Sequence, residues 1–583
     1  MNAAPAKFPN PFVLGTYSNK RAPAHAGDPY ALQEIEMKAL SYKIRTTEPD
    51  WHEQRHDPDV KAEWKKDALE KSKRKSEREQ RCSAHQPMTA GMIDYAFDEL
   101  EDFARFDVAV GGKWWQACFD AIYESDRVVP DDLRTSLLGQ VLQVENANRL
   151  RSAASRSQVN AIVDPSWYPL MYGRTLVRAG DSDAARDPPT ATTARVAEKP
   201  SRPENTQEYK YTSKKYQWLP ADFEIDSKGQ VKILSYINDL DPSDHVALYS
   251  SIASVFAELV PLLDQTLSDL LQAAPPIIPA ACVSYWYEDD YEPRYSRHDY
   301  LGMDKHMRRH AREMAYLERL EHRRFVLPSP SSFEPSSTEK IQARLDNPCF
   351  TLKGRTVQVV VKFINYKLTP DQPTYDGDEW RVVGLRNECV VATALYCYDE
   401  ENVTESSLAF RSTFDESDLP HPRSEEHEYA LASIFGIEEA STTVQLLNSV
   451  PTAQGRCLTF PNVYQHRTGR FSLRDKTKTG HRKLMAFFLI DPTQRITSTT
   501  DVAPQQREWI ERTLLGSKRT IDSLSYLGSI FHKLPIELWT RIVDLTEGLM
   551  KPREAKSHRN KMEAERSTML NAYSRKVFVR PLA

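Results

Sequence analysis

Gly455-Arg-Cys-Leu-Thr-Phe-Pro-Asn-Val-Tyr-Gln-His466, a polar excursion, and then Gly480-His-Arg-Lys-Leu-Met-Ala-Phe-Phe-Leu-Ile490 form the stretch on which the fold turns. Arg456–Phe460 and Lys483–Ile490 are short apolar runs bounded by the turn signals Gln454-Gly455 and Thr479-Gly480, so both read as strands. Working outward, Cys389–Tyr398 is almost entirely apolar and β-branched, the pattern of a strand covered on both faces. Val357, Val359, Val361 and Phe363 alternate with Gln358 and Lys362, the period of a half-buried strand. Strands packed this densely predict a double-sheet jelly roll or barrel from 348 to 515.

Beyond this block the periodicity is helical. Asp28–Tyr42 and Met92–Phe106 carry apolar residues at helical spacing. Ser243 or Asp244 is the expected cap of a long helix with Leu248, Ile252, Val255, Phe256, Leu259 and Leu263 on its apolar face, and Pro261 should kink it. Val231–Ile237 reads as a strand. The tail returns to helix at Gln505–Leu515, Pro535–Leu545 and Arg553–Lys576. The expected class is therefore α+β, with a helical N-terminal region, a double-stranded β-helix (jelly-roll) core and a helical C-terminal tail. The expected divisions are a mainly helical domain at 1–179, a linker at 180–207 poor in anything to bury, a helix-and-strand segment at 208–347, the core at 348–515 and the tail at 516–583.

Composition bounds the function. At 583 residues the chain exceeds one ordinary core, which predicts two or three folded units. Hydrophobic residues at 40% and charged residues at 27% fit a globular protein. A net charge of -5 argues against a nucleic-acid binder. No uninterrupted apolar run reaches membrane-spanning length; Ala257–Leu271 is broken by Glu258, Asp264 and Asp269, so no membrane partner is expected. No secretory leader is read at Met1–Phe12. Seven scattered cysteines with no C-x-x-C pair predict reduced thiols and a cytosolic or nuclear location. Lys71–Lys75 could be an import signal, but a solvated helix face explains it better.

Three patterns could carry chemistry. His52-Glu-Gln-Arg-His56 fits the zinc motif H-E-x-x-H, yet Pro58 and the surrounding charges suit a buried zinc helix poorly, so it reads as a chance match. His306 and His310 share a helix face with Lys305, Arg308, Arg309 and Arg312, cations that oppose a metal. The third pattern is the opening stretch. A His after one strand and a basic residue opening the next have the layout of the closing half of a jelly-roll oxygenase. There His466 would bind Fe(II), and Arg482 would hold the far carboxylate of 2-oxoglutarate, with Arg470–Thr479 as an extra loop.

Longer motifs extend this likeness: Asp164–Thr175, Tyr216–Pro220, Ser235–Asn238, Leu352–Arg355, Asn387-Glu388, Ala392–Ala394, Glu401–Thr404, Phe460–Arg467, Gly480–Lys483 and the tail from Met550 to Pro581. On these residues the chain resembles the fungal family called domain of unknown function 4246. The resemblance implies an iron and 2-oxoglutarate oxygenase layout and names no substrate. One departure bears on chemistry. Where the family reads Trp-His-x-Glu-Gly, this sequence has Trp380-Arg-Val-Val-Gly384, so Arg381 stands for an iron-binding His and Val383 for the carboxylate. A guanidinium does not deprotonate to donate a lone pair, and valine has none. None of the 15 histidines is followed two residues later by Asp or Glu.

Three readings follow. The first is a degenerate oxygenase scaffold, inactive or repurposed, with Arg381 presenting charge where the metal sat and Arg482 helping to hold a carboxylate. The second is an active oxygenase with a rearranged site built on His466 and Asp376 or Asp378. The third is an adaptor, since His532-Lys-Leu-Pro-Ile-Glu-Leu-Trp-Thr-Arg-Ile-Val543 resembles the opening of an F-box. A domain-closing helix with Leu538, Ile542 and Leu545 inward explains that last stretch more simply. The expected partner is a small molecule or peptide. His466 and Arg482 should face one cavity, and Arg381 should pair with Asp376 or Asp378 or lie exposed at its mouth.

Overall fold

The computed structural model describes residues 8–13, 29–79, 86–147, 157–178, 194–200, 208–279, 287–288, 303–322, 324–414, 425–437, 442–516 and 535–579. Five helices matter for the site: α1 (Leu32–Thr47), α2 (Ala90–Ala109), α3 (Val246–Leu271), α4 (Ile536–Leu545) and α5 (Pro552–Val577). The strands that position it are β1 (Trp115–Gln116), β2 (Tyr123–Ser125), β3 (Val159–Val163), β4 (Ala221–Ile225), β5 (Val231–Ile233), β6 (Arg355–Leu368), β7 (Val390–Glu401), β8 (Ser406–Thr413), β9 (Val444–Thr452), β10 (Cys457–Pro461), β11 (Gln465–Thr468) and β12 (Gly480–Ile490).

A nine-stranded antiparallel sheet runs β1-β2-β10-β7-β12-β6-β4-β5, with β3 also paired to β6. A three-stranded antiparallel sheet runs β9-β8-β11. Helix and antiparallel sheet are thus mixed as expected, but the sheets stay open rather than closing into a barrel. Short strands from 115–163 and 221–233 prolong the large sheet at both ends, so one sheet draws on stretches that the sequence divides at 179, 208 and 348.

The alternation read in β6 fixes its two faces. Val357, Val359, Val361 and Phe363 join Phe487, Leu489 and the α3 residues Ile252, Val255, Phe256, Leu259 and Leu263 in the largest core. By length and apolarity alone α3 could cross a membrane, since its interrupting charges are few. Here it is the core helix on the sheet. Asp264, one of those charges, is buried and accepts hydrogen bonds from the Leu352 N–H and the Thr351 hydroxyl, each at 2.8 Å. Burial pushes its carboxyl up to about 6 against those bonds. The helix starts later than expected, at Val246 after His245, with no side-chain cap; Asp244 instead pairs with Arg512. Pro261 lies inside it.

Other expectations resolve locally. The Lys71–Lys75 run lies on the helix Pro58–Glu79. His52 meets Asp107 at 3.1 Å and His56 meets Glu101 at 3.4 Å, so each histidine of the H-E-x-x-H match faces a carboxylate. His306 and His310 are exposed on the helix Lys305–His322. Most of the stretch expected as a linker lies outside the described residues, but Ala194–Val196 within it pairs with Leu176–Arg178. Residues 532–534 of the F-box-like stretch also lie outside them. The inward face assigned to α4 is corrected: Leu538, Ile542 and Leu545 are 47%, 38% and 73% exposed, whereas Val543 is buried. A four-residue step separates Leu538 from Ile542, and the helix is rolled so that this stripe faces out.

The last helix is fastened strongly. Arg566 of α5 makes a bidentate pair with Glu388, at 2.6 and 2.8 Å, both side chains being buried. The same carboxylate accepts the backbone N–H of Trp218 and of Leu385, each at 2.8 Å, and the guanidinium lies 3.8 Å from the Trp218 ring.

Candidate functional site

Arg381 and His466 are joined by a backbone bridge in which each N–H donates to the other's carbonyl, at 3.0 and 3.1 Å. This adds the 381 segment to the free edge of β11. The two side chains therefore project from one antiparallel rung. His466 is buried, its ring 4.8 Å from that of Phe460, and its Nδ1 has no hydrogen-bond partner among the described residues. Burial first, and then the Arg381 charge, hold its imidazole well below the usual range, at about 3, so it is neutral.

The turn before Arg381 supplies the carboxylate. Gly377 has φ +99, and a Cβ there would meet the Thr468 carbonyl at 2.8 Å, so this tight approach needs glycine. It presents Asp378, whose N–H donates to Thr468 O at 3.0 Å. The carboxylate accepts from Arg381 Nη2 at 3.1 Å, from the Tyr366 hydroxyl at 3.4 Å and from the Tyr375 hydroxyl. Burial works against ionisation of Asp378, but Arg381 and Tyr375 outweigh it and keep its carboxyl below the usual range. Asp376, the other acid considered, is exposed and pairs loosely with Arg470 at 3.6 Å. Arg381 itself is 47% exposed. One residue along from this rung, the Trp380 ring has Arg411 and Arg467 each 4.6 Å away.

Val383 lies two residues further along the chain. It is buried in an apolar cluster with Val360, Ala486, Phe488 and Trp218. Its backbone is braced by Asn462, which accepts from its N–H at 2.7 Å and donates to its carbonyl at 2.8 Å.

Arg482 sits on β12 directly between Tyr366 of β6 and Glu400 of β7. Its side chain is fully buried. Nε and Nη2 donate to Glu400 Oε2 at 2.9 and 2.8 Å, Nη1 reaches Thr452 at 3.3 Å, and Phe471 lies under the guanidinium at 4.7 Å. The carboxylate that meets Arg482 is therefore the chain's own. Tyr366 and Phe471, with ring centroids 5.8 Å apart, fill the space beside it.

Sequence reasoning missed Glu400, Tyr366 and Tyr375. Glu400 borders the quoted motif Glu401–Thr404, but regular pairing of Cys389–Tyr398 with Lys483–Ile490 would set Asp399 opposite Arg482; a register shift between Cys397 and Asp399 brings Glu400 there instead. Among the described residues, no three His, Cys, Asp or Glu side chains gather where they could hold a metal ion.

Solved structures with some likeness include a selenomethionine-labelled Fe(II)/(alpha)ketoglutarate-dependent dioxygenase, TqaL, at 10% identity and TM-score 0.22 over 49% of this chain and 71% of that one. IDO from Bacillus thuringiensis matches at 9% identity and TM-score 0.15, over 28% of this chain and 67% of that one. AviO1 from Streptomyces viridochromogenes Tue57 matches at 16% and 0.13, over 27% and 58%. Superpositions this loose carry no argument. No curated protein matches. Residues 90–513, which contain Arg381, His466, Glu400 and Arg482, match the family described as protein of unknown function (DUF4246), and the chain belongs to that family.

Proposed function

We propose that this chain is an oxygenase-like jelly-roll scaffold that no longer carries iron and 2-oxoglutarate chemistry. Strand order supports the jelly-roll part. Counting β6, the Arg381 segment, β7, β8, β9, β10, β11 and β12 in sequence, the large sheet sets the first, eighth, third and sixth side by side. The small sheet sets the second, seventh, fourth and fifth side by side. Two interleaved four-stranded halves are the jelly-roll arrangement.

Neither cofactor fits the residues present. Fe(II) needs two imidazoles and a carboxylate with open positions. The Arg381–His466 rung offers one neutral imidazole beside a cation, and Val383 offers no donor atom. Asp378 is the nearest carboxylate, and its oxygens already accept from Arg381, Tyr366 and Tyr375. For 2-oxoglutarate the carrying observation is Arg482, fully buried against Glu400, which takes the place a cosubstrate carboxylate would need.

The test is equilibrium dialysis of Fe(II) and Mn²⁺ with calorimetric titration of 2-oxoglutarate, on the parent and on the double variant Arg381→His/Val383→Glu. We expect neither metal nor cosubstrate to bind the parent, and the double variant to gain a metal through His466. Stoichiometric iron in the parent, or no gain in a folded double variant, refutes the reading.

A further inference from the structure

We propose that the sheet face at Lys362, together with the Arg381–His466 rung, binds a small organic carboxylate with an apolar body; this rests on the reading above, in which that rung holds no iron. Lys362, Ile364 and Tyr366 share one face of β6, because strand residues alternate. Across the sheet that face continues through Ala486 to Leu395, the residues in register with Lys362. Lys362, Ile364 and Leu395 are only half-buried although their strands flank β12 near the middle of the sheet. The face is therefore not closed over at this rung, and its floor is aliphatic.

Its donors outnumber its acceptors. Tyr366, four residues along the same face from Lys362, reaches Asp378, which holds Arg381. One of the five Arg381 N–H groups meets Asp378, and nearly half of its side chain is exposed. The Lys362 ammonium makes no hydrogen bond or close ion pair with any described residue; the charge it acts on is Asp164. The acids beyond Asp378 that influence these cations are Glu563 and Asp164. Glu563 is engaged by Ser166, and Asp164 is shared between Arg559, at 2.8 Å, and the Lys362 charge, the larger of the two Coulombic influences on its carboxyl. Two further polar atoms are buried without partners among the described residues, His466 Nδ1 and Thr393 Oγ1, and Phe460 touches the first ring and lies opposite Thr393 in the ladder. A guanidinium fork and an ammonium match a planar carboxylate, and Ile364 and Leu395 match a hydrocarbon portion.

The probe is hexanoate, titrated calorimetrically into the full chain, with hexan-1-ol and inorganic phosphate as comparisons. We expect one saturable hexanoate site that the alcohol and phosphate do not fill. Arg381→Gln should weaken it at least tenfold, and Lys362→Met several-fold. Equal binding of hexan-1-ol, preference for phosphate, or unchanged hexanoate binding by Arg381→Gln overturns the proposal. If Arg381→Gln does not fold, Lys362→Met decides by the same comparison. Iron analysis of the same sample separates the two readings. Stoichiometric iron defeats the scaffold reading, whereas iron-free protein that ignores hexanoate defeats only this one.

Discussion

Replacing Glu400 by alanine strands a cation. Arg482 is fully buried, and without Glu400 its remaining polar contacts are Thr452 at 3.3 Å and the Thr404 carbonyl at 3.5 Å. Removing one partner of a buried pair costs about 3–5 kcal/mol, because the other charge stays desolvated. The Phe471 contact, worth about 0.5–2 kcal/mol, is present in both proteins and offsets nothing. Glu400 is 13% exposed, so water can follow into the gap, which favours the lower figure, about 3 kcal/mol. For a folded unit of 150–250 residues that lowers the melting temperature by roughly 6–12 °C. Formate should restore part of the loss by entering beside Arg482. At ten times its Kd it returns about 1.4 kcal/mol to the variant and nothing to the parent. The apolar double variant Arg482→Met/Glu400→Leu should stay within about 1 kcal/mol of the parent or exceed it. Differential scanning calorimetry with and without formate reads all three. A Glu400→Ala protein that melts with the parent, or a parent that formate stabilises equally, refutes the reasoning.

Arg566→Met should cost about 3–5 kcal/mol by leaving Glu388 buried without its cation, and should open Pro552–Val577 to limited proteolysis before the sheet is cut. Unchanged cleavage there would show that the pair does not hold α5. Glu99, whose Oε2 is buried without a partner among the described residues, has its carboxyl pushed up to about 7 by burial, against the pull of Lys38. The folded state thus binds its proton more tightly than the unfolded chain does. Stability should fall as pH rises from about 4.5 to about 7 and then level off. Glu99→Gln should flatten that slope and stabilise the protein at pH 8 by on the order of 2 kcal/mol, so parallel pH–stability curves for the two proteins would contradict it. Leu538→Glu and Leu545→Glu, both on the exposed stripe of α4, should change stability by less than about 0.5 kcal/mol. A clear drop in the denaturation midpoint would mean that the stripe is covered.

Much of the fold was legible because long periodic segments announce themselves. The alternation at Val357–Phe363 and the apolar run at Cys389–Tyr398 became β6 and β7, and the stripe from Leu248 to Leu263 became the buried face of α3. The short strands β1 to β4 were not legible. Two to five residues carry too little period, and their pairing is decided by the sheet they join. At the site, Arg381 and His466 were found through their motifs, 85 residues apart in sequence, yet they share a backbone bridge. Glu400 stayed hidden because nothing local marks an acid at a strand end as the partner of an arginine 82 residues away. The α4 stripe was assigned the wrong side because an amphipathic pattern gives the phase of a helix and not which side meets the protein.

The Tyr573 hydroxyl donates to the Pro11 carbonyl at 2.7 Å, and Phe12 packs against the Tyr573 ring 4.8 Å away. This clasp joins residues 562 positions apart. At about 5–20 residues per second, a ribosome needs roughly half a minute or more to travel from one partner to the other. Pro11 and Phe12 must therefore wait for α5 while the residues between them are made, during which α3 and the sheet can already be assembling. A nascent chain stalled before Tyr573 would expose Phe12 and lack the Arg566–Glu388 pair. Quality control acting on exposed apolar residues would thus read the arrival of α5 from this clasp closing.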